Sequence, residues 1–116
     1  MNRTRRKELT LAYKNTPPPM GIFCIRNLAS GKMLIDQSTH LAGSLNRHRM
    51  ELQLGTHRNK ALLADWQNYG QVQFAFEVLE AIPQHPEPDF DYASELARRL
   101  RLWRARIPQG SAGSYL

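Results

Sequence analysis

Residues 21–36 read GIFCIRNLASGKMLID. Two apolar runs, Gly21-Ile22-Phe23-Cys24-Ile25 and Lys32-Met33-Leu34-Ile35, flank Asn27-Leu28-Ala29-Ser30-Gly31. β-Branched and aromatic residues in the arms, with Ser-Gly in the bend, predict a β-hairpin. Residues 73–79 alternate with period two, which predicts a third strand with Phe74, Phe76 and Val78 on its core face.

Helical spacing surrounds these strands. A stripe of Leu41, Leu45, His48 and Leu52 predicts a helix over about 40–54, with Ser38 or Thr39 as N-cap and Gly55 as C-cap. Leu62, Leu63, Trp66 and Tyr69 predict the buried face of a helix over about 58–69, capped by Thr56. Residues 83–90, PQHPEPDF, read as a loop holding an exposed His85, and His40 reads as a loop histidine. Leu96, Leu100, Trp103 and Ile107 mark a last helix over about 95–107, capped by Ser94 and stopped by Pro108. Upstream, residues 3–14 predict a short basic helix, ended by Pro17-Pro18-Pro19.

The resulting order is α-β-β-α-α-β-α. It describes an α+β domain with a small three-stranded antiparallel sheet flanked by helices. Three segments follow: a basic helix and Pro-rich linker over 1–19, the domain over 20–107, and a flexible tail over 108–116. The 116 residues suit one domain, and 41% hydrophobic with 22% charged residues suits a globular one. A single cysteine, Cys24, excludes an intrachain disulfide and reads as a packed core thiol. No apolar run reaches the ~20 residues of a membrane span. With a basic, polar N-terminus lacking an apolar core, the expectation is a cytoplasmic protein of bacterial type. The net charge of +6 favours polyanionic partners. Five Lys or Arg against one Glu in residues 3–14 supply four of those charges.

The hairpin also resembles the paired signature of the GIY-YIG nucleases. Phe23 stands where the first tyrosine of that signature belongs and Leu34 where the second does, with ten residues between them as in the family. In the same register, Ser44 stands at the family's helical arginine, His48 at the histidine four residues later, and His57 at the second histidine. The segments GTHRNKALLADWQNYG and FAFEVLE continue the likeness, which spans about residues 20–82. The resemblance implies the family fold. It also implies a chemistry of phosphodiester hydrolysis, in which a tyrosine initiates attack, an arginine stabilises charge and a glutamate from a later helix holds a divalent metal.

The residues present meet that chemistry in few places. Phe23 and Leu34 carry no proton acceptor, Ser44 carries no charge, and Asp36 adds a negative charge at the family's usual glycine. His48 and His57 remain as the catalytic candidates. Glu95, the only glutamate of the last helix, is the metal candidate implied by the resemblance, eight residues before Trp103. No third ligand at metal spacing is evident beside the two histidines. Arg47, Arg49, Arg58 and Lys60 are the candidate nucleic-acid contacts, and the arginines of residues 98–106 form a second basic surface.

The sequence-based expectation is therefore a GIY-YIG-like protein with impaired catalysis that binds nucleic acid through a basic face, with no certain cofactor. One alternative is an active Mg- or Mn-dependent DNA endonuclease whose histidines work with Asp36, Glu77 or Glu95. Another is a protein-interaction adaptor using the basic N-terminal helix or the last helix.

Overall fold

The structure, a computed structural model, describes residues 19–107 and 112–116. The predicted basic helix and Pro108 lie outside the described residues. The hairpin is present as β1 (Met20–Asn27) and β2 (Met33–Ser38), antiparallel, with Phe23 opposite Asp36 and Ile25 opposite Leu34. Its bend is organised by the buried Asn27. The Asn27 carboxamide oxygen accepts from the amides of Ala29 at 2.9 Å and Ser30 at 3.2 Å.

The third strand, β3 (Phe74–Ile82), pairs antiparallel with the other edge of β1, so the strand order is β2-β1-β3. Consecutive residues of β1 point to opposite faces, yet Ile22, Phe23, Cys24 and Ile25 are all buried. Both faces must therefore be covered. On one, Phe23, Ile25 and Leu34 pack under α1 (Leu41–Leu54) and α2 (Lys60–Tyr69), against Leu41, Leu52, Leu62, Leu63 and Trp66. On the other, Ile22, Cys24 and Ile35 pack under α3 (Tyr92–Arg106), against Leu96 and Leu100. The result is the predicted α+β arrangement, helices on both sides of an antiparallel sheet.

Some local expectations are corrected. α1 is capped by His40 rather than Ser38 or Thr39: its Nδ1 accepts from the Gly43 amide at 2.9 Å, while the Ser38 hydroxyl accepts from the His40 amide. α2 begins later than predicted because Asn59, not Thr56, accepts from the Leu62 amide. Asp91, not Ser94, caps α3, and Ser94 is the donor to it. Gly55 ends α1 as expected, in the left-handed conformation at φ 74°.

Tyr69, expected on the buried face of its helix, is 46% exposed at the last position of α2. Val78 is 49% exposed although it lies opposite Phe23. It sits on an edge strand, next to a bulge that inserts Leu79 between the pairs Ile22–Glu80 and Phe23–Val78. Leu79 keeps the α3 side that alternation with Glu77 gives it, and the extra residue turns Glu80 to the same side, opposite Ile22, where it meets Arg99 and Trp103 of α3.

The tail is also corrected. Residues 112–116 are not frayed: Gly113 and Tyr115 exchange backbone hydrogen bonds with Met33, and Ser114 forms a parallel bridge to β2. Tyr115 is buried, and its hydroxyl accepts from Asn27 and donates to Asp65 of α2 at 2.8 Å. One aromatic side chain thus ties the hairpin bend to α2.

Two outcomes follow. A Cβ on Gly21 would lie 1.9 Å from the Glu80 carbonyl oxygen, so Gly21→Ala should lower unfolding free energy by about 1–3 kcal/mol in urea titrations. An unchanged midpoint would show that β1 and β3 need not approach this closely. Burial, reinforced by the Asp65 carboxylate, pushes the Tyr115 hydroxyl up from 10.0 to about 12. The unfolded chain loses this proton first. The contribution is therefore intact below about pH 10 and is lost as pH rises towards about 12. Thermal melts from about pH 9 upward should show this decline, and Tyr115→Phe should flatten it.

Candidate functional site

Where α1 ends and α2 begins, the chain closes over the edge of β2 and leaves a cleft of about 370 Å³. It is lined by Leu34 and Asp36 of β2, Arg47, His48 and Glu51 of α1, His57, Arg58 and Asn59 of the following turn, and Leu116. A larger, more open depression of about 520 Å³ lies between the C-terminal ends of α1 and α2. Its lining, which includes Leu52, Gln53, Trp66 and Gln71, offers no titratable side chain, so the chemistry concentrates in the smaller cleft.

His48 and His57 meet there, 8% and 3% exposed. His57 stands in the turn before α2 and is drawn inward by its neighbours. Its Nδ1 accepts from the Asn59 amide at 3.1 Å, and its Nε2 lies 2.7 Å from His48 Nδ1. Burial lowers the pKa of both imidazoles below the ordinary histidine value. For His48 the neighbouring His57 and Arg47 act in the same direction; for His57 Arg58 does, against an opposing pull from Glu51. Both rings are therefore neutral at pH 7.

Neutrality fixes where the protons sit. Because His57 Nδ1 is an acceptor, its proton is on Nε2 and is donated to His48 Nδ1. His48 then carries its own proton on Nε2, which is buried without a hydrogen-bond partner. The His48 ring also packs against Phe23, with centroids 5.4 Å apart. A buried polar atom left unpartnered typically costs ~1–3 kcal/mol, so the pair is a poor choice for packing alone.

A third donor completes the cluster. Glu51, one helical turn after His48, places a carboxylate oxygen so that ligand atoms of His48, Glu51 and His57 all lie within 4.8 Å of one another. This overturns the expectation that the histidines lack a third ligand at metal spacing. The signal was present as His48-x-x-Glu51, an i, i+3 pair on one helix face. Asn59 was also missed. Besides fixing His57, its side chain caps α2 and donates to the Tyr115 carbonyl oxygen at 3.0 Å.

Other candidates are dispersed. Phe23 and Leu34 lie in the core, 1% and 4% exposed. The Ser44 hydroxyl is hydrogen-bonded to Ser38 at 2.5 Å. Asp36 reaches the cleft but also lies 3.5 Å from Arg104 of α3. Arg47 and Arg58 line the cleft, whereas Arg49 is turned over the Phe76 ring at 4.6 Å and Lys60 starts α2 outside the lining. Glu95 is far from this arrangement in kind and place. It belongs to α3 across the sheet, and hydrogen bonds from Arg98 and Arg99 hold its carboxyl down to about 2. Glu77 pairs with Arg26 at 3.3 Å, opposite Cys24 and so on that same α3 face.

No protein-family model matches the chain, and no curated protein sequence matches it. Two solved structures do. The catalytic domain of the homing endonuclease I-TevI superposes with a TM-score of 0.66 at 21% identity, covering 83% of this chain and 95% of that one. A mutant form of the catalytic domain of the intron endonuclease I-TevI gives 0.63 at 22% identity, over 77% and 84%. Identity this low speaks to the fold alone. With the hairpin, the sheet order and the placement of helices already described, the likeness makes the fold of this chain GIY-YIG-like.

Proposed function

We propose that this GIY-YIG-like domain binds nucleic acid and does not perform the hydrolysis usual for its fold. The observation that carries the reading is the pair Phe23 and Leu34, apolar side chains packed into the core at the two positions where the resemblance asks for tyrosine hydroxyls. Neither can accept a proton or present an oxygen to a phosphorus atom. Ser44, at the position of the arginine, has no charge to set against a developing phosphorane. Losing several cooperating groups together removes most of a catalytic apparatus.

Binding outlasts such losses because backbone contacts need only positive charge and reach. Arg47 and Arg58 border the cleft, and Arg49 and Lys60 extend the positive charge along α1 and into α2. The net charge of +6 adds a general attraction for polyanions.

An active endonuclease with rearranged groups is the competing reading, and the cluster of His48, Glu51 and His57 favours it. The divalent metal implied by the fold is a hard, oxygen-seeking ion such as Mg²⁺. The cluster offers two imidazole nitrogens and one carboxylate, and Glu95 is occupied by two arginines. These residues do not fit that ion, so no hydrolytic step is drawn through it.

The test is a fluorescence titration of labelled single- and double-stranded DNA and RNA. Affinity should fall steeply between about 50 and about 200 mM salt, with a slope of about −0.9 per phosphate engaged on duplex DNA. Arg47→Ala and Arg58→Ala should each reduce that slope by about one. An affinity indifferent to salt, or no binding at the lower salt, would sink the reading. Highly purified protein should leave plasmid and single-stranded DNA intact with Mg²⁺ or Mn²⁺; nicking abolished by His48→Ala would favour the endonuclease instead.

A further inference from the structure

We propose that His48, Glu51 and His57 form a binding site for a divalent transition-metal ion of the zinc class, open on one side to the cleft. The proposal does not rest on nucleic-acid binding; it concerns what the protein holds by itself. Its basis is convergence from two elements. α1 presents His48 and Glu51 one turn apart on a single face, and the turn before α2 brings His57 against them. Their ligand atoms lie within 4.8 Å of one another, and all three residues line the same cleft.

The donor chemistry selects the ion. Two imidazoles and a carboxylate are a borderline set that suits zinc, cobalt or nickel and suits Mg²⁺ poorly. Three protein ligands leave a fourth tetrahedral position for water or a ligand, and the cleft of about 370 Å³ supplies room for one. A structural zinc site would be closed by a fourth side chain.

A second observation points the same way. His48 and His57 are more than nine-tenths buried, and the two nitrogens that would meet the ion, His48 Nδ1 and His57 Nε2, have only each other as hydrogen-bond partner. Shape alone would be met more cheaply by apolar side chains there, because buried polar groups favour folding only when satisfied.

The rearrangement needed is small. The facing nitrogens are 2.7 Å apart, and two ligands of a tetrahedral zinc ion stand roughly 3.3 Å apart, given zinc–nitrogen bonds of about 2.0–2.1 Å. Glu51 exchanges a 3.7 Å contact with Arg47 for the ion. Both imidazoles stay neutral. His48 binds through Nδ1 and keeps its proton on Nε2, while His57 binds through Nε2 and carries its proton on Nδ1. The Asn59 amide, 3.1 Å from Nδ1, then faces a second donor and must turn away from it, which gives metal binding a signature outside the ligands.

The experiment uses the full chain, stripped with a chelator and free of nucleic acid. Zn²⁺ is titrated by calorimetry, and Co²⁺ by visible absorption. One ion per chain should bind, the cobalt complex should show the intense bands of tetrahedral coordination, and the Asn59 amide resonance should move. Glu51→Gln, a substitution on a part-exposed helix position, should keep the fold by circular dichroism and weaken binding by at least roughly 10–100-fold, the loss already typical when only a partner behind a ligand is removed. His57→Ala should abolish one-to-one binding. His85→Ala, at an exposed histidine beside Glu87, should leave it unchanged. No one-to-one binding, or binding that survives Glu51→Gln and His57→Ala or disappears with His85→Ala, overturns the proposal. Metal binding is read on protein free of nucleic acid, so each outcome stands whether or not the chain binds nucleic acid.

Discussion

The central strand β1 has no solvent face, and the rest of the molecule is arranged around that constraint. Four consecutive residues, Ile22 to Ile25, are buried, two to each side. Each such side chain contributes roughly 1.5–3 kcal/mol only while it is covered. One face therefore recruits α1 and α2, the other recruits α3, and both edges of β1 are occupied by other strands. A slip of one residue would exchange the two faces and set Phe23 against α3. Gly21 and the bulge at Leu79 let β3 follow β1 closely without such a slip.

The same constraint explains the character of the site. The resemblance to the GIY-YIG signature implies tyrosine hydroxyls at the positions of Phe23 and Leu34. In this chain those positions complete the apolar layer beneath α1 and α2. The polar chemistry is carried instead by α1 and the turn after it, as His48, Glu51, His57 and Asn59. The sheet forms the floor of the cleft through Leu34 and Asp36, and the two histidines belong to its helical wall. Phe23 marks the boundary, since its ring belongs to the core and also packs against His48.

What could be read in advance divides along physical lines. The hairpin, the third strand and the three described helices were legible because each is announced by a local period: two for a strand, 3.6 for a helix. The two histidines were legible through their register with the hairpin. The burial of His48 was legible from its place on the leucine stripe, but that of His57 was not, because it comes from the Asn59 amide and from His48, contacts that no local pattern encodes. Glu51 carried a weak signal, masked by its equally good reading as an i, i+4 partner of Arg47. The tail was misread for a similar reason. Ser and Gly suggest fraying, but Tyr115 finds Asn27 and Asp65, residues 88 and 50 positions away in sequence. The caps failed more narrowly: in each helix the capping side chain lay one to three residues from the predicted one, where tertiary contacts decided among several eligible polar residues.

Charge sharpens what the cleft contributes to any interaction with a polyanion. With both histidines neutral, Arg47 and Arg58 are matched by Asp36 and Glu51, so the lining has no excess of positive charge. Across the sheet, α3 spends part of its arginine content on carboxylates: Arg98 and Arg99 on Glu95, Arg99 again on Glu80, and Arg104 on Asp36. Four of the six net charges lie instead in residues 3–14. In the proposed binding of nucleic acid, long-range attraction would belong mainly to the charge of residues 3–14, and the cleft would offer orientation at short range through two arginines. Removing positive charge from residues 3–14 would act on encounter and salt dependence. Removing the carboxylate of Glu51 would instead tip the cleft towards positive, strengthening its hold on a phosphate even as it weakens the cluster as a home for a metal.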